Sequence, residues 1–183
     1  MGDLNLGKAE RMARPGGALL PPYETIETLE RLEAEVARLA PRTLVLVSDS
    51  FDDMAAARLL DDAIFERLGR LAAGRRLVWI AGNHDPGPVD LPGSHLASFT
   101  SGPLVFRHIA RPDCAPGEIS GHYHPKARLR IRGQYISRPC FLVDRTRMIL
   151  PAFGTYTGGL DVAAPALARL TGDQAMVLLT GRK

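Results

Sequence analysis

The stretch LVWIAGNHDPGP, residues 77–88, runs from five mostly apolar residues straight into Gly82, Asn83, His84 and Asp85. Asn83, His84 and Asp85 offer an amide oxygen, an imidazole and a carboxylate, groups that bind a cation or move a proton. The pattern recurs. Asp49 follows TLVLVS, His108 closes LVFRH, and His122 and His124 stand in ISGHYH. Ligands of α/β sheets gather at the carboxyl ends of strands. A carboxylate, an amide and several imidazoles form a mixed oxygen–nitrogen set suited to Mn²⁺, Fe or Zn²⁺. The lack of thiolates speaks against a structural zinc cage. Taken singly, each residue has a plainer account: a strand histidine is usually hydrogen-bonded or exposed, and GNHD alone reads as a turn. Their conjunction at successive strand ends carries the argument.

The elements that must position them follow from periodicity. Residues 22–40, PYETIETLERLEAEVARLA, read as an amphipathic helix with Ile26, Leu29, Leu32, Val36 and Leu39 on its apolar face. RTLVLVS reads as a buried strand, and Asp53 to Ala73 as a second helix closed by Gly74. RLVWIAG is the next strand, so helix and strand alternate as in a parallel sheet. After residue 100 the strands are short and bounded by turn residues: PLVFRHIA, GEISGHYH, ARLRIRG, RPCFLVD and RMILPAFG, as in an antiparallel sheet. A small helix at 163–170 and a strand AMVLLTG finish the chain.

A length of 183 residues suits one domain with a real core, here with two sheets. Hydrophobic residues make up 45% and charged ones 23%, an ordinary balance for a soluble protein. The longest apolar runs are strand-sized, which excludes a membrane-spanning helix, and no secretory signal is visible. Cys114 and Cys140 lack metal-type spacing and are expected reduced, Cys140 packed within CFLV. A cytoplasmic location is the default expectation. A net charge of +3 permits an anionic partner without demanding one.

In order, SDSFDD, GNHD, the isolated His108 and GHYH resemble the signature of calcineurin-like metallophosphoesterases. GDLNLGKAERMARPGG is similar to the family's first block, with Asp3 in place. Longer stretches, among them FRHIARP, GEISGHYHPKARLR, SRPCFLVD and LPAFGTYTGGLD, resemble one bacterial subgroup, the ligase-associated DNA-damage-response endonucleases. The resemblance implies an α/β fold, a four-layer αββα sandwich of two mixed β-sheets flanked by helices. It also implies two divalent metal ions, with Mn favoured over Fe or Zn. Asp49 would bridge them; Asn83, His108 and His122 would complete one site, and Asp3 and His124 the other. Hydrolysis would proceed by attack of a metal-bridging hydroxide on phosphorus. His84 would protonate the leaving oxygen, with Asp52 orienting its ring.

The chain departs from that pattern in three places. Asn5 stands where the family has a ligating histidine, so the cation shared with Asp3 and His124 is expected to bind less tightly. Ser48 replaces a glycine before Asp49. The chain starts at Met1-Gly2-Asp3 without the apolar strand that delivers the first Asp in the family, so that strand is expected to be missing. A start placed late, or a cut chain, is the favoured account.

PKARLRIRG sets Lys126, Arg128, Arg130 and Arg132 at spacing two on one strand face, opposite Leu129 and Ile131. Contact with the phosphates of a nucleic acid explains this ladder; a solvated face that blunts a sheet edge explains it equally well. No aromatic interleaving suggests base stacking. PAFGTYTGGLD lines a cleft or makes a tight turn, and His95 reads as a surface loop residue.

Three readings remain. The first is a metal-dependent phosphodiesterase, plausibly a DNA-repair nuclease working with a ligase/helicase system. The second keeps the chemistry on a nucleotide or lipid-linked pyrophosphate. The third is a degenerate nucleic-acid-binding protein without activity.

Overall fold

The computed structural model describes residues 1–12, 23–47, 49–51, 61–83, 91–172 and 174–181. Helices α1 (Lys8–Met12) and α2 (Glu24–Leu39) precede strand β1 (Thr43–Val47). Helix α3 (Asp62–Ala72), β2 (Arg76–Ile80) and β3 (Ser94–Leu96) follow, and β1, β2 and β3 form a parallel sheet in that order. Along β2 the side chains alternate between two cores. Leu77 and Trp79 pack with Leu29, Leu32, Leu68 and Leu71 of the helices, while Val78 and Ile80 pack with Phe99 and Phe106 of the second sheet. Both faces being covered, the strand reads as an unbroken apolar run. Each fully buried leucine here contributes about 1.5–3 kcal/mol.

The second sheet contains β4 (Ser98–Ser101), β5 (Leu104–Arg107), β6 (Glu118–Ser120), β7 (Lys126–Ile131), β8 (Gln134–Val143), β9 (Arg147–Ile149) and β10 (Met176–Leu179). Its order is β10-β8-β9-β6-β5-β4, with β7 paired to the first half of β8. Helix α4 (Pro165–Ala168) closes the outer face, where Leu167 packs with Leu142 and Ile149. The architecture is α/β, two sheets stacked face to face between helices. Among the described residues no helix is long and apolar enough to cross a membrane.

Several details differ from the sequence expectations. The second sheet is mixed, because β5, β6 and β9 run parallel. Helix α3 starts at Asp62: Asp61 is extended and its carboxylate accepts from the Ala63 N–H at 2.9 Å, a cap that interrupts the expected helix from Asp53. The residues 53–60 of that expectation lie outside the described ones. In α2, Ile26 and Leu39 are exposed, whereas Glu24, Thr25 and Thr28 are buried. His95 sits in β3, its ring stacked 5.8 Å from that of Trp79.

The place expected for a missing first strand is partly filled by residues 1–6. The Met1 amino group donates to the Val45 carbonyl at 2.8 Å, and the Val47 N–H donates to the Met1 carbonyl at 2.7 Å. Farther along, the Asn5 N–H reaches the Asp49 carbonyl at 3.0 Å, and Leu6 bridges Phe51 in parallel. Asp3 is thereby held beside the end of β1.

Candidate metal centre

The segments following β1, β2, β5 and β6 meet at one point. Asn83 Oδ1 lies 2.5 Å from His108 Nε2 and 3.1 Å from His122 Nδ1. The two ring nitrogens are themselves 3.1 Å apart, and His108 Nε2 is 3.8 Å from Asp49 Oδ2. Neighbouring donors held about 2.1 Å from one cation at right angles stand about 3.0 Å apart. The three atoms thus have the spacing of one face of a coordination polyhedron. One donor atom each from Asp49, His108 and His122 falls within 4.8 Å of the others.

Burial pushes the His108 imidazole below its ordinary pKa, against the pull of Asp49 and Asp3. A neutral ring is the form that ligates a metal. Its orientation is packed as well: the His108 and His122 rings meet edge to face at 4.7 Å, and Tyr123 meets His122 the same way at 4.9 Å.

Asp3, fully buried, makes a second grouping. Its Oδ1 lies 3.0 Å from His124 Nε2, and its Oδ2 accepts the His122 N–H at 3.3 Å. Among the described residues neither Asp3 Oδ1 nor His124 Nε2 has a hydrogen-bond partner, although both are buried. Buried polar atoms left unsatisfied cost about 1–3 kcal/mol each. A cation between them removes that cost, so the residues fit a metal. Asn5 Nδ2 is also buried with no hydrogen-bond partner among the described residues, and a half-turn of the amide puts its oxygen there instead.

Three of these residues carry left-handed backbone: Asn5 at φ 50°, His122 at 66° and His124 at 46°. Such conformations are costly for residues other than glycine and cluster where function holds them. Two close approaches support them. A side chain on Gly154 would meet the Leu4 carbonyl oxygen at 1.9 Å, and one on Gly159 the His124 carbonyl oxygen at 2.1 Å. Both positions must therefore lack a Cβ.

The basic ladder begins directly after His124 and divides into different situations. The Lys126 ammonium donates to the Thr157 carbonyl at 2.9 Å, and Arg128 pairs with Asp161 at 3.2 Å. Arg130 lies over the Tyr135 ring at 5.7 Å. Arg132 is not in the strand: with Gly133 it forms the two-residue hairpin turn at φ 50° and 82°. Tyr135, 76% exposed, gives this arm an aromatic surface that reading β7 alone missed. The Arg132–Gly133 turn was the available signal, since it places residue 135 opposite 130.

His84, Asp52 and Ser48 lie outside the described residues. Both cysteines are free; Cys140 is buried, and Cys114 Sγ accepts from Arg147 at 2.9 Å.

No protein-family model matches the chain. It is similar to the crystal structure of the Pseudomonas putida nuclease MPE, with a TM-score of 0.71 and 25% identity over 99% of this chain and 82% of that one. It is also 26% identical, over 92% of its length and 68% of the other, to a Paracidovorax citrulli protein named orotidine 5'-phosphate decarboxylase. At that identity the second likeness does not place the chain in a family.

Proposed function

We propose that the protein is a divalent-metal-dependent phosphoesterase of the nuclease type that hydrolyses phosphodiester bonds. The observation that carries the reading is the convergence of Asn83 Oδ1, His108 Nε2 and His122 Nδ1 at coordination spacing, beside the buried pair of Asp3 Oδ1 and His124 Nε2 at 3.0 Å. The likeness to a nuclease structure supports a polymeric substrate over a nucleotide or lipid-linked one, and activity over a binding role alone.

In this reading Asn83, His108 and His122 would hold one cation and Asp3, Asn5 and His124 the other, with Asp49 serving both. Two divalent cations, Mn²⁺ favoured, supply Lewis acidity toward the phosphoryl oxygens and a water that ionises near neutral pH. The residues do the rest. Asn83 contributes a neutral oxygen that limits the negative charge of the set. Asp3 and Asp49 offset the charge of the cations. His84 delivers a proton to the leaving oxygen and Asp52 orients its ring, roles assigned by their place in the SDSFDD and GNHD motifs. Lys126, Arg128, Arg130 and Arg132 lead away from His124 and suit the phosphates of a DNA strand. The proposal takes residues 1–183 as one domain acting in the cytoplasm, and the subgroup motifs extend it to DNA repair beside a ligase/helicase system.

The test is hydrolysis of a nucleic-acid strand and of a small phosphodiester in Mn²⁺, with and without a chelator. Mn²⁺-dependent strand cleavage abolished in Asn83→Ala supports the proposal. Cleavage indifferent to chelator and to Asn83→Ala would falsify it.

A further inference from the structure

We propose that Glu24, Thr25 and Thr28, in the first turns of α2, are positioning residues that hold the Asp3–Asn5 segment in ligating register. This rests on the two-cation reading above. An amphipathic helix ordinarily turns such residues to water, yet Glu24 and Thr28 are each 1% exposed and Thr25 is 7%. Glu24 Oε1 accepts the Ala9 N–H at 3.0 Å and the Thr25 hydroxyl at 3.1 Å; Thr25 Oγ1 accepts the Gly7 N–H at 3.0 Å. The chain just beyond Asn5 is therefore pinned to the start of α2. A second grip acts on the segment that touches Asp3 from the other side. Phe153 and Gly154 donate to the Asp3 carbonyl at 3.0 and 2.9 Å, and Thr28 Oγ1 accepts the N–H of Thr155 at 3.2 Å.

The two grips bracket Asp3, whose carboxylate faces His124. Asn5 sits between them at a left-handed φ that an unsupported chain would leave. The Asn83, His108 and His122 side chains extend from the segments that follow β2, β5 and β6. Loosening α2's grip should therefore weaken the cation of Asp3 and Asn5 more than the other, which among the described residues meets this segment only through Asp49 and the His122 N–H. Glu24 and Thr28 do this through the backbone; neither is placed among the ligands.

The experiment titrates Mn²⁺ into the full chain calorimetrically and follows amide exchange of the metal-free protein. Glu24→Ala and Thr28→Val are expected to weaken the looser Mn²⁺ about tenfold or more and the tighter one distinctly less. Glu24→Gln and Thr28→Ser keep the acceptor atoms and are expected to restore binding. Gly7 and Ala9 amides should exchange at least about tenfold faster in Glu24→Ala, with β2 amides unchanged. Equal weakening of both ions, or Gln failing as badly as Ala, overturns the proposal. A wild-type chain that takes up no second Mn²⁺ sinks the two-cation reading instead; the Gly7 and Ala9 rates then decide, and unchanged rates overturn the grip.

Discussion

Asn83, His108 and His122 bring their donor atoms together from segments that continue parallel strands, whereas Asp3 and Asn5 lie on a segment held by a polar grip from α2; left-handed backbone occurs in both groups, at His122 as well as at Asn5 and His124. The first group follows β2, β5 and β6, paired strands whose register fixes where each following residue falls. The second group depends on close approaches, such as Gly154 against Leu4, that any Cβ would disturb. Geometry set by the register of a sheet is cheap to keep; a segment outside the sheets must be held by its neighbours. The first cation should therefore bind more tightly than the second.

The largest effect expected from this contrast is on His122. His122→Ala should drop hydrolysis to the level of the metal-free protein and remove the tighter Mn²⁺, because groups that act as a unit fail together. His124→Ala should remove only the looser ion. Calorimetric titration of both variants decides the matter, and identical losses in the two would erase the distinction between the halves.

His84 sharpens the comparison differently, since its assigned role is to move a proton. His84→Ala is expected to slow cleavage about 10²–10⁴-fold, the range for a lost general acid, while both Mn²⁺ affinities stay as in wild type. Metal loss in His84→Ala as deep as in Asn83→Ala would make it a ligand instead.

The same contrast decides what the sequence made visible. The strands β1 and β2 were legible because both faces are buried, so TLVLV and LVWI appear as unbroken apolar runs. Asp49, Asn83, His108, His122 and His124 stood out because each follows a strand. Direction in the second sheet was not legible: β5, β6 and β9 are 3–4 residues long, and so short a strand carries no mark of its partner's orientation. The grip was hidden for another reason. Glu24, Thr25 and Thr28 read as solvent-facing by composition, and only the tertiary placement of residues 7–9 and 155 turns them into buried acceptors. His84 and Asp52 are legible in the motifs but fall outside the described residues.

Asn5→His tests whether ligand chemistry or backbone strain limits the second half. Imidazole is the better donor for most transition metals, and histidine, like asparagine, is enriched in the left-handed region that φ 50° requires. The looser cation should bind about tenfold tighter, read by titration with Mn²⁺ or Zn²⁺. No gain would mean that position 5 points its side chain away from the cation. A smaller effect is expected on the arm. Arg130→Ala should lower the salt dependence of strand binding by about one counterion. Arg128→Ala should do less, because Arg128 already pairs with Asp161.

The smallest effect belongs to a contact that should touch neither half. On the outer side of α2, Glu33 takes two hydrogen bonds from Arg67 of α3, at 2.8 and 2.7 Å. The Arg67 hydrogen bond holds the Glu33 carboxyl below its usual value of 4.5. Below that value the unfolded chain takes up a proton that the folded chain resists, so this stabilisation is present above about pH 4.5 and fades as pH falls through the lowered native value. A third of the Glu33 side chain remains in solvent, which holds the contribution to about 0.5 kcal/mol. Glu33→Gln should therefore cost about that much at pH 7, less near pH 3, and leave both Mn²⁺ affinities unchanged. Denaturant unfolding at the two pH values gives the first pair of numbers and titration the third. Were Glu33→Gln to loosen the second cation as Glu24→Ala does, α2 would act on the centre through its overall stability, and the polar contacts of its first turns would lose their special role.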